Sequence, residues 1–73
     1  MRLRVDAGKV ERFRVSAALL KRELALRAGV HPNQLTRIAA GEAVGVKTAR
    51  QIAGVMGVSV REITAELVEA GAA

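Results

Sequence analysis

Residues 28–38 read AGVHPNQLTRI, and the placement of Gly29 and Pro32 within that stretch decides how the chain folds. Upstream, Leu20, Leu24, Ala25 and Ala28 recur at helical spacing and end at Gly29, the residue type that most readily takes the left-handed conformation after a helix. Downstream, Pro32 suits the first turn of a new helix, where a missing N–H costs nothing. That helix carries Leu35, Ile38 and Ala39 inward and stops near Gly41. A plain loop accounts for the Gly and the Pro but not for the apolar residues set around them. Two helices crossing steeply account for all of it. Ala25 is small where the helices touch, Gly29 tolerates positive φ in the turn, and Leu24, Ala28, Val30, Leu35 and Ile38 are spaced to seal the angle. Residues 21–40 therefore read as a helix-turn-helix.

The rest of the chain is read outward from that motif. Asp6 is a suitable N-cap for a first helix running to about Ser16, with Val10, Phe13 and Ala17 on one face. Gly41–Gly45 reads as a loop. A fourth helix carries Ala49, Ile52, Ala53 and Met56 on one stripe and closes at Gly57. Ser59–Glu62 (SVRE) has the pattern of a capping box, and Val60, Ile63 and Leu67 form the inward face of a fifth helix. Met1–Val5 (MRLRV) alternates basic and apolar residues, as an arm or a short strand does. The expected fold class is all-α, a compact five-helix domain over residues 6–69. A basic N-terminal arm (1–5) precedes it and a flexible tail (70–73) follows.

Composition agrees with one small domain. The chain has 73 residues, no Cys and a single aromatic residue, Phe13. A chain this short buries only about 60% of its unfolded surface, and without Cys neither disulfides nor thiolate metal sites support it. No apolar run approaches the roughly 20 residues of a membrane span, and MRLRVDAGKV lacks the apolar region of a secretory signal. A cytoplasmic, nucleoid-associated location is the expectation. The net charge is +5 and it is uneven. Arg2, Arg4, Lys9, Arg12, Arg14, Lys21, Arg22 and Arg27 stand in the first 27 residues against Asp6, Glu11 and Glu23. A basic face implies a polyanionic partner, usually nucleic acid; a solvated basic surface without a partner is the alternative.

Residues 24-LALRAGVHPNQLTRIAAGE-42 and 48-TARQIAGVMGVSVREI-63 resemble the Cro/phage-repressor-like (XRE-type) helix-turn-helix family, which implies a lambda-repressor-like fold. Arg14 also falls where that family often has Arg. The chain departs from the pattern in three places. Leu20 and Lys21 replace a small polar cap followed by Gln. His31 and Pro32 replace Ser or Thr followed by a polar reader. Ala39 stands where several relatives place a Glu that pairs with the first-helix Arg.

On a helix starting near Pro32, Asn33, Thr36 and Arg37 project away from the buried side, with Gln34 on the flank. These four are the expected base contacts: Arg37 matches guanine bidentately, and Asn33 or Gln34 matches adenine. Lys21 and Arg22 begin the second helix, whose terminal amides favour phosphate. With Arg14, His31 and Lys47 they are the expected phosphate contacts. Arg2 and Arg4 reach the backbone or minor groove if residues 1–5 form an arm. His31 is the only histidine, with no second ligand at metal spacing and no nucleophilic triad around it. It reads as a capping or phosphate-facing residue.

The function expected is that of a sequence-specific double-stranded DNA-binding protein, a small bacterial or phage transcriptional regulator. A weak or DNA-dependent homodimer through the fifth helix, using Val58, Val60, Leu67 and Val68, would supply a second half-site. The alternatives are an antitoxin-type protein-interaction module and a recombination-directing or architectural DNA-binding factor. No catalytic cluster, cofactor, metal, membrane contact or small-molecule ligand is expected.

Overall fold

In a computed structural model, residues 1–68 are described. The elements in chain order are β1 (Arg2–Val5), α1 (Ala7–Ser16), α2 (Lys21–Ala28), α3 (Pro32–Ala39), β2 (Ala43–Gly45), α4 (Val46–Met56), α5 (Val60–Ile63) and β3 (Thr64–Val68). The fold is not all-α: among the described residues five helices sit with a three-stranded antiparallel sheet of order β2-β1-β3. The expected tail, residues 70–73, lies outside the described residues.

Each strand has a different reason to form. In β1 the side-chain period of two buries Leu3 and Val5 and leaves Arg2 and Arg4 exposed. Residues 43–45, expected as loop, pair with β1 in the register Leu3↔Val44, which brings Val44 to 1% exposure. The fifth helix, expected to continue past Leu67, ends at Ile63. Thr64 turns to an extended conformation, φ −82° and ψ 127°, and its Oγ1 donates to the Val60 carbonyl at 2.7 Å. The following residues then take the second edge of β1, with Leu3↔Leu67 and Arg4↔Glu66. Thr-Ala-Glu-Leu-Val has no strong local preference for strand. The unpaired edge of β1 decides its conformation, a tertiary override of propensity.

The core lies between the sheet and the helices. Leu3, Leu24, Ile52 and Ile63 are at most 2% exposed, and α2 packs on both α3 and α4. Val10 and Ile38 join the same cluster, with Phe13, Val30 and Leu35 partly buried against it. Three inward assignments are corrected. Ala17 and Ala39 are exposed, and Leu67, on a sheet edge, is 64% exposed. Leu19 enters the core at 7% while Leu20 stays 52% exposed. In the α1–α2 turn, just before these two residues, Ala18 adopts a left-handed φ of 56° and redirects the chain.

Candidate nucleic-acid interface

The second and third helices pack on each other across a tight turn, as expected of the motif. α2 ends at Gly29, with φ 71° and ψ 29°, and the Val30 N–H returns to the Ala25 carbonyl at 3.0 Å. Ala25 and Ala28 are buried at 1% and 6%, so the turn is small on its inside. α3 then starts at His31. Its Nδ1 accepts from the Asn33 N–H at 3.1 Å, an N-cap made by imidazole in place of the usual hydroxyl or carboxylate. Pro32 occupies the first helical position.

This start fixes the outward face of α3. Asn33, Thr36 and Arg37 are exposed and Gln34 is half-buried, while Ile38 is buried. The exposed side chains project from one side of a helix whose other side is sealed by Leu35 and Ile38. Arg37 forms no ion pair among the described residues, where the pairs are Arg4–Glu66 and Arg14–Glu11.

Lys21 and Arg22 stand exposed in the first turn of α2. Leu20, at the cap position, has no side-chain acceptor; its own N–H donates to Glu23 Oε1 at 2.9 Å. The carboxylate half of a capping box is therefore made and the hydroxyl half is missing. A related half-box opens α5, where the Ser59 N–H donates to Glu62 Oε2 at 2.8 Å and the hydroxyl makes no capping bond. Lys47 is exposed in the first turn of α4.

Arg14 differs from these cations in having internal partners. Its Nε donates to Glu11 Oε2 at 3.1 Å and one terminal nitrogen to the Leu19 carbonyl at 2.5 Å. The other terminal nitrogen pairs with Glu11 Oε1. Only 14% of the side chain is exposed, so the guanidinium ties the end of α1 to the turn before α2. Hydrogen bonds from Arg14 hold the Glu11 carboxyl below its ordinary pKa against a smaller opposing effect of desolvation; the charges of Arg14 and Lys21 add to the lowering. The Arg14 guanidinium is raised in turn, chiefly by its bond to Glu11.

Arg2 and Arg4 belong to β1 and brace the segment after α3. Arg2 donates to the Ala43 carbonyl at 2.7 Å and Arg4 to the Gly41 carbonyl at 3.2 Å. Neither contact leaves a local trace in sequence, because each joins residues about 40 positions apart. The Glu11–Arg14 pair does leave one, an i,i+3 spacing on a helix.

A family model described as Helix-turn-helix matches residues 10–63, most of α1 through the end of α5. The chain belongs to the XRE-type helix-turn-helix family. It is thus a DNA-binding domain of a non-catalytic family whose partner is double-stranded DNA. The match excludes β1 and β3, the outer two strands in sequence, so membership does not predict the sheet. No curated protein and no solved structure matches the chain. Among the described residues no helix is long and apolar enough to cross a membrane.

Proposed function

We propose that the protein is a sequence-specific transcriptional regulator of bacterial or phage type that reads the major groove with α3. Asn33, Gln34, Thr36 and Arg37 contact bases, and Lys21, Arg22, Lys47 and His31 face the phosphates. Arg14 acts indirectly, through the α1–α2 turn. The observation that carries this reading is the outward face of α3, with an exposed Arg37 free of any ion pair among the described residues. A cation with no acidic partner is available for guanine O6 and N7.

One recognition helix spans few base pairs, so specific binding uses two copies on an inverted repeat, with half-sites about 34 Å apart. The copies associate weakly or only on DNA. The apolar residues expected to join them through a fifth helix are dispersed: Val58 precedes α5, Val60 lies on it, and Leu67 and Val68 belong to β3. Pairing is therefore reassigned to the edge of β3, where Leu67 is exposed. Unpaired strand edges favour such association.

Selection of bound duplexes from a random pool, followed by footprinting, tests both parts. An enriched inverted repeat protected on one face of the DNA is the expected result. Recovery of no consensus would overturn the sequence-specific reading, and a single asymmetric half-site would overturn the dimer.

A further inference from the structure

We propose that the groove between α1, α2 and α3 binds an amphipathic carboxylate, a small molecule with an apolar body and one anionic group, and that this ligand and DNA exclude each other. The groove has a volume of about 510 Å³, within the roughly 300–1,000 Å³ of small-molecule sites. Its floor is apolar. Val10, Leu24 and Ile38 line it and are at most 6% exposed, with half-buried Leu35 beside them. The space exists because the residues on its α1 and α3 sides include Ala7 and Ala39, too small to fill it.

Charge selects the occupant. The mouth carries Arg14, Lys21 and Arg22 against one acid, Glu11. Arg14 and Glu11 neutralise each other by direct pairing, whereas Lys21 and Arg22, in the first turn of α2, form no ion pair among the described residues. A neutral apolar molecule leaves that charge unanswered, and a bare phosphate leaves the apolar floor wet. An acyl or aryl carboxylate satisfies both. The sequence gives no sign of the site, because its walls come from three separate helices.

Exclusion of DNA follows from shared residues, and this half rests on the function proposed above. Lys21 and Arg22 are phosphate contacts in that reading, and Thr36, a base contact, lines the same groove. A carboxylate seated at the mouth neutralises the cations that DNA needs.

The test is an amide NMR titration of the full chain with decanoate, decanol and inorganic phosphate in parallel. Decanoate is expected to saturate, with shifts centred on Val10, Leu24, Leu35 and Ile38, and to bind about tenfold more tightly than decanol. Phosphate should shift only the signals around Lys21 and Arg22. Ala39→Leu and Ala7→Leu each fill the groove and should weaken decanoate about tenfold with the melting temperature preserved. Decanoate should also weaken binding of a random-sequence duplex by the wild type and not by Ala39→Leu. Failure to saturate, shifts scattered over the surface, or undiminished affinity in both groove-filling variants would overturn the site. Decanoate in the groove with unchanged DNA affinity would overturn the exclusion alone. Absence of any DNA binding would overturn the functional reading and leave the titration to judge the site.

Discussion

Arg14 and Glu11, one turn apart on α1, form a closed pair whose guanidinium also holds the Leu19 carbonyl. The pair joins the end of α1 to the turn that aims α2, and it separates two kinds of cation in this protein. Arg14 is committed to internal partners, whereas Lys21 stands exposed at the helix start. Lys21→Ala should weaken binding to all DNA sequences alike and reduce the log–log salt slope by about one unit. Arg14→Gln should lower the melting temperature and leave the slope unchanged. Salt titrations of both variants on a random duplex decide this, and a slope reduced by Arg14→Gln would make it a phosphate contact. The pH dependence has a definite sign. Because the folded-state pKa of Glu11 is lowered, its stabilisation is present above the ordinary carboxylate range and is lost as pH falls through the folded value. Arg14→Gln should therefore lose less stability on acidification than the wild type, as thermal melts across that range will show.

Gly29 and Ala18 both stand at positive φ, with opposite fitness for it. Gly29 suits its φ of 71°, whereas Ala18 holds a φ of 56° with a Cβ present. Left-handed backbone costs an L-residue roughly 1–2 kcal/mol, partly offset because glycine loses more entropy on folding. Ala18→Gly should stabilise the fold by about 0.5–1 kcal/mol. Gly29→Val should destabilise it by more than about 1 kcal/mol, although open space surrounds that position. Denaturant melts of the two variants should move in opposite directions; a shift in the same direction would refute the assignment of strain.

His31 supplies the only side-chain cap of α3, accepting from the Asn33 N–H. Removing it as His31→Ala should cost about 1 kcal/mol, and His31→Ser should recover most of that. Chemical denaturation of the three proteins measures the cap. Equal stability of the Ala and Ser variants would show that imidazole acts there by other means.

What was legible in the sequence was local. The Ala25–Gly29–Ile38 constellation acts within 14 consecutive residues, and its spacing alone specifies the crossing of α2 and α3. The outward set on α3 followed from the same periodicity. What was not legible was set from a distance. Residues 64–68 have a composition a helix would accept, and only the free edge of β1, some 60 residues earlier in the chain, makes them a strand. Ile63 and Leu67, four apart, imitated a helical stripe; Ile63 is buried and Leu67 is exposed. Leu20, on the helical stripe by spacing, is exposed and Leu19 is buried instead; the turn before them uses Ala18 at positive φ, where a glycine would have signalled the bend. Arg14, expected at phosphate, pairs with Glu11, since a family position does not say which acid lies nearest.

The central claim is that α3 reads base edges through Arg37. The most direct measurement compares the affinity of wild type and Arg37→Ala for a selected cognate duplex and for a random duplex at one salt concentration. The expected result is a loss of roughly 1–3 kcal/mol on the cognate duplex, a much smaller loss on random DNA, and relaxed preference at one base pair. Equal losses on the two duplexes would contradict the claim and make Arg37 a contact to the backbone.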